Sequence, residues 1–177
     1  MRVTEVVYEG KVVSVTRSYE PGKPSAFFET VRHPGSTAVV ALTEEGKLLL
    51  VDQYREAIDG FLLEIPAGKL EPNEDPEVCA RRELEEETGY KAGTMEKLCE
   101  FFTTPGYCNE SIQIFVASGL KPSKSNLDEH EVLTPVEMKV SKALTMIDDG
   151  RIRDAKTIAG ILAFARKKKW SLSVDDS

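Results

Sequence analysis

The chain has 177 residues, 41% of them apolar and 30% charged, with a formal net charge of −7 at pH 7. That length suits one domain, residues 1–177, with a real core, and the acidic balance argues against an extended nucleic-acid partner, which needs a basic face. No apolar run approaches the roughly 18 residues of a spanning helix, and MRVTEVVYEGK lacks a signal-peptide core, so a cytoplasmic protein with no membrane partner is expected.

Residues 3–32 alternate polar and apolar side chains in VTEVVYEG, KVVSVTRSYE and AFFETVRH, which predicts three short strands with turns at Glu9–Gly10 and Pro21–Pro24. STAVVALT and KLLLVDQYR read as a hairpin around Glu44–Gly46, and their apolar runs predict central strands buried on both faces. FLLEIPAG reads as one strand ending in a Pro/Gly break. A helix follows, with Asp75 as N-cap, Pro76 in the first position, Val78, Ala80 and Leu84 as apolar contacts and Gly89 as the stop. KLCEFFTT and SIQIFVAS are strands flanking the loop Pro105–Glu110, residues 121–130 are a polar loop, and EVLTPVEMKV is a late strand broken at Pro135. Two closing helices are expected: one capped by Ser141 and ended by Gly150, the other capped by Asp154 with an apolar stripe of Ala155, Ile158, Ala159, Leu162 and Ala165. The basic run 166–169 suits a solvated helix end. The sum is an α/β arrangement with helices on the faces of a mixed sheet.

Cys79, Cys99 and Cys108 are odd in number and lack CxxC spacing, so neither a disulfide framework nor a zinc site is indicated. The chemistry concentrates instead in the helix, where four acids fall within Glu83–Glu87. Such a run is either a solvated face or a site for hard divalent cations. Glu83, Glu86 and Glu87 stand at i, i+3 and i+4, so their carboxylates share one face and can hold Mg²⁺ or Mn²⁺ through oxygen alone. The Ala67 carbonyl, at the Pro66-Ala67-Gly68 break, is a candidate to complete the oxygen shell. Arg82, and Arg81 more weakly, are placed to offset the repulsion among the acids.

Gly68, Glu74, Arg82-Glu83, Leu84, Glu86-Glu87 and Gly89 match every polar and glycine position of the Nudix signature, and only Tyr90 departs, where an aliphatic residue is usual. The resemblance implies the Nudix fold, an α/β/α sandwich around a mixed sheet, with residues 35–177 as its core and 1–34 as an additional antiparallel strand region. It also implies metal-dependent hydrolysis of a nucleoside diphosphate linked to another group. Glu83 and Glu87 would be direct metal ligands, Glu86 a ligand or catalytic assistant, and Glu74 the partner of Arg82, leaving Glu85 to solvent. Outside the signature, VRHPGSTAVVAL, LLLVDQYR, LEIPAGKLE, TPGYCNE, LDEHE and RDAKTIAGIL resemble the ADP-ribose pyrophosphatase branch. By that resemblance Arg55 contacts substrate phosphate or sugar, Pro105 and Gly106 belong to the substrate loop, and Glu110 lies near the metals or the terminal ribose.

In this branch an acidic loop supplies a catalytic glutamate, and Glu129 and Glu131 are the candidates, with His130 a bystander. Phe28, with Phe27 and Tyr107, is a candidate for stacking on adenine. Relatives are commonly homodimers in which the N-terminal strands help to build the partner's site. The expected activity is Mg²⁺-dependent hydrolysis of ADP-ribose to AMP and ribose 5-phosphate. The alternatives are a broad or GDP-mannose-preferring hydrolase, since Thr104 stands where serine is commoner, and a sensor that binds ADP-ribose without cleaving it.

Overall fold

The computed structural model describes residues 2–127 and 132–168. β1 (Val3–Glu9), β2 (Ser14–Tyr19) and β3 (Phe27–Arg32) pair antiparallel in that order as a sheet of their own. Every residue of β1 is exposed. β4 (Ser36–Leu42) and β5 (Leu48–Arg55) follow, then one 3₁₀ turn over Glu56–Ile58, β6 (Gly60–Glu64) and β7 (Ala67–Lys69). Next come α1 (Pro76–Thr88), β8 (Tyr90–Lys91), β9 (Thr94–Phe102), β10 (Ser111–Ser118) and β11 (Lys121–Pro122). β12 (Leu133–Met138), α2 (Val140–Asp148) and α3 (Ala155–Lys167) complete the described chain.

The main sheet runs β12-β5-β4-β10-β9, with β6 on β5 and β7 on β4. It is mixed, because β4 and β10 pair in parallel and the other pairs are antiparallel. Successive residues of a strand face opposite sides, and β4 separates two cores accordingly. Val39 and Ala41 pack with Ala80 and Leu84 of α1, whereas Ala38 and Val40 pack with Val140 and Ala143 of α2 and Ile161 and Phe164 of α3. Helices therefore cover both faces, as the resemblance implies, and each fully buried side chain such as Leu84 or Ile161 contributes roughly 1.5–3 kcal/mol. No helix among the described residues is long and apolar enough to cross a membrane.

Several local expectations need correction. FLLEIPAG is two strands, not one: Pro66 has no N–H to donate, its carbonyl accepts from Val39 N at 2.8 Å, and the chain passes there from β5 to β4. Pro135 does not break β12, because β12 is an edge strand where the missing N–H is tolerated. Ser141 does not cap α2; the N-cap is Lys139, without a side-chain bond. On α1, Val78 is exposed and Cys79 takes the buried place beside Ala80. The buried stripe of α3 is Thr157, Gly160, Ile161, Phe164 and Ala165, a different phase from the one expected. Both phases have helical spacing, and Gly160 decides between them: a Cβ there would sit 3.0 Å from Ile65 and 3.3 Å from Val40, so this face meets the sheet.

Candidate active site

The helix that carries the acids forms where expected. Asp75 caps it by accepting from Glu77 N at 2.9 Å and Val78 N at 3.3 Å, an arrangement worth about 1 kcal/mol. Gly89 ends it with φ +74°, a conformation that favours glycine. Arg82 binds the acids together. Its Nε and Nη2 donate to the two oxygens of Glu74 at 3.0 Å each, and its Nη1 donates to Glu83 at 2.7 Å and Glu86 at 3.0 Å. The Arg82 guanidinium holds the Glu74 carboxyl down at about 2, from the usual 4.5. Glu74 also accepts from Glu71 N at 2.9 Å, so it orders the turn before the helix.

The Glu83 carboxylate lies against the backbone of β7, and a Cβ at Gly68 would fall 1.9 Å from it. Only glycine allows that approach. Glu87 is 1% exposed and accepts from Ala67 N at 3.1 Å. Cys79 is buried beneath, hydrogen-bonded to Thr37 Oγ1 and the Lys69 carbonyl, and burial pushes its thiol up to about 12. It is a packing residue. Arg81 turns away from the cluster to Glu77 and the Ala92 carbonyl, correcting its expected role. Glu85 is not left to solvent: it accepts from Ser123 Oγ at 2.6 Å and pairs with Lys91 at 3.2 Å.

A cleft of about 740 Å³ opens beside this cluster. Glu83, Glu86, Ala67, Arg55 and Glu110 line it, so the structure brings together five positions drawn from separate parts of the sequence. Glu110 accepts from Ser36 Oγ at 2.7 Å and Thr103 Oγ1 at 2.9 Å. Pro105 and Gly106 line a separate pocket of about 210 Å³ with Tyr107, Phe102 and Thr30. Phe28 lies on β3, outside the cleft of its own chain, with the Arg2 guanidinium 4.4 Å over its ring. Phe27 is likewise stacked by Arg17. Glu129, His130 and Glu131 lie outside the described residues.

The structure also adds a group that the sequence did not point out. Glu64 is 1% exposed and accepts two bonds from Arg55, at 2.8 and 2.6 Å, and one from Lys156. Burial works to raise its pKa, but the Arg55 hydrogen bonds and the Lys156 charge outweigh it and leave it lowered. Lys156 also pairs with Asp154 at 3.1 Å. Asp154 caps α3 by accepting from Thr157 N at 2.9 Å and Thr157 Oγ1 at 2.6 Å, while Thr157 Oγ1 accepts from Ile65 N. This chain of bonds ties the start of α3 to the strand break before Ala67. One signal was available: an acid amid the apolar residues of FLLEIPAG must be buried with partners.

Among the described residues no three His, Cys, Asp or Glu side chains converge as they stand into a metal-holding group. The donor set nonetheless fits a hard divalent cation. Glu83 and Glu86 of one helix face share the Arg82 guanidinium, Glu87 stands beside them on the backbone of Ala67, and Gly68 leaves room for Glu83 against the strand.

A model of the NUDIX domain matches residues 32–160. The chain is 44% identical to the methanol dehydrogenase activator of Bacillus methanolicus, covering 89% of this chain and 88% of that protein. It is 40% identical to the ADP-ribose pyrophosphatase of Bacillus subtilis, covering 89% and 87%. It is also 40% identical to the GDP-mannose pyrophosphatase of Yersinia enterocolitica, covering 72% and 71%. Among solved structures, an ADP compounds hydrolase superposes with a TM-score of 0.79 over 96% of this chain and 94% of its own, at 21% identity, a likeness of fold. A domain match over most of the chain, with every acid of the signature kept on α1 or in the turn before it, means that this chain belongs to the Nudix family.

Proposed function

We propose that the protein hydrolyses the diphosphate bond of ADP-ribose and related nucleoside diphosphate sugars, giving AMP and ribose 5-phosphate from ADP-ribose. The observation that carries this is the intact carboxylate helix folded onto the wall of a cleft that also presents Arg55. Glu83, Glu86 and Glu87, with the Ala67 carbonyl, would hold the cation, Mg²⁺ with Mn²⁺ as a substitute. When bound, such a cation supplies Lewis-acid charge against the phosphate oxygens. Arg55 keeps its Nε and Nη2 on Glu64, which fixes the guanidinium plane and leaves Nη1 to donate to a phosphate. Glu110, held by Ser36 and Thr103, serves the sugar end. The proton-abstracting carboxylate is assigned to Glu129 or Glu131 on sequence resemblance alone.

Relatives at the same identity carry both the ADP-ribose and the GDP-mannose names, so the test is a panel of nucleotide sugars with Mg²⁺, read as phosphate released by a coupled phosphatase. Turnover of ADP-ribose above the others is expected. Preference for GDP-mannose would overturn the ADP-ribose assignment, and no turnover of any member would favour a sensor.

We further propose a homodimer built through the N-terminal sheet. Val3, Val6, Val7, Tyr8 and Phe28 are all exposed there, and apolar side chains gathered at the surface of one small sheet favour a protein partner. Across that interface Phe28 would reach the partner's site. Sedimentation equilibrium should give twice the chain mass, and Val6→Asp should shift it toward one; a wild-type protein at a single chain mass would rule the dimer out.

A further inference from the structure

The last turn of α1 carries Glu86 and Glu87. A helix leaves its final carbonyls without partners inside the helix, and such ends fray. Here a segment from much later in the chain supplies the partners. Ser125 Oγ donates to the Glu86 carbonyl at 2.7 Å, and Asn126 N donates to the same oxygen at 3.1 Å. Ser123 N donates to the Gly89 carbonyl at 2.7 Å, and Ser123 Oγ donates to Glu85 at 2.6 Å. Pairing of β11 with β8 brings the segment alongside. Residues 123–127, expected as part of a free polar loop, are thus laid along the helix end. Glu86 is held from two sides: its side chain by Arg82, its main chain by Ser125 and Asn126.

We propose that Ser123, Ser125 and Asn126 are positioning residues that hold the last turn of α1 in place and so set the affinity of the Glu83–Glu86–Glu87 face for its divalent cation. The proposal rests on the reading above that this face binds the cation. Three of the four hydrogen bonds go to main-chain carbonyls at the helix end and the fourth to the Glu85 side chain, so none reaches a carboxylate of that face and the effect passes through the placement of the last turn. Without them the ligands begin from a looser ensemble, and binding must order it.

The test is Mn²⁺ titration of the metal-free protein, followed by electron paramagnetic resonance, with the melting temperature measured alongside. Ser125→Ala is expected to weaken Mn²⁺ binding about tenfold, the low end for removing a group that supports a ligand. Ser125→Thr, which keeps the hydroxyl, should restore it, and kcat at saturating metal should stay near wild type. Should Ser125→Ala not fold, Ser123→Ala removes only the bond to Glu85 and is read in the same way. Wild-type Mn²⁺ affinity in these variants would overturn the proposal, whatever the melting temperature. Glu87→Gln in the same titration separates the two claims: if it binds Mn²⁺ as wild type does, the cation face itself is misassigned.

Discussion

Glu87→Gln is expected to lower kcat/KM for ADP-ribose by about two to three orders of magnitude, because Lewis-acid stabilisation is worth several kcal/mol and each ~1.4 kcal/mol is tenfold. The substitution isolates charge from shape. A glutamine amide oxygen can still accept from Ala67 N, so the hydrogen bond that joins α1 to β7 survives. The side chain is 1% exposed, and glutamine keeps its volume, so the packing around it is retained. The melting temperature should therefore move by no more than about 4 °C, the shift produced by roughly 1 kcal/mol in a chain of this size. Steady-state kinetics at saturating Mg²⁺ and a thermal melt check both halves. Near-normal turnover would remove Glu87 from the ligand set.

The second large effect is expected at a residue with no side chain. Gly68→Ala would place a methyl group 1.9 Å from the Glu83 Cδ and Oε1 and 2.4 Å from Oε2. One of the two must move. The carboxylate is the far end of a side chain held by Arg82, whereas Gly68 is paired to Thr37 within β7 and β4, so Glu83 should be displaced and the sheet kept. Activity and metal affinity are expected to fall about 10–100-fold, as when a group that orients a ligand is lost, with the circular dichroism spectrum unchanged. A Gly68→Ala protein with wild-type metal affinity would show that this contact does not place Glu83.

What was legible in the chain follows from how locally each feature is encoded. Asp75, Pro76 and Gly89 act within one turn of where they stand, so both ends of α1 could be read directly. The Glu74–Arg82 pair was readable because the signature prescribes its spacing. The buried face of α3 was not, since apolar residues occupy more than one phase of that helix and the tight contact of Gly160 with Ile65 and Val40 makes the choice. The Glu64–Lys156 pair spans 92 residues, and no local pattern can announce a partner at that distance. The same holds for Ser123 and Glu85: a polar stretch looks the same in sequence whether it meets water or another element's carbonyls. Phe28 is a different case: it lies on β3, outside the cleft of its own chain, and only the proposed dimer would bring it to a site.

The parallel pairing of β4 and β10 bears on the order in which the molecule assembles. Ser36 and Glu110 meet across 74 residues, and the whole signature, Gly68 to Gly89, lies inside the loop that this contact closes. Helix α1 can begin to form from neighbours in sequence, but contacts of such separation slow folding. The wall that Glu110 contributes therefore depends on one of the most distant contacts in the sheet. Recovery of catalysis after unfolding would then report completion of the central sheet, and helical content alone would be a poor guide to how much working enzyme is present.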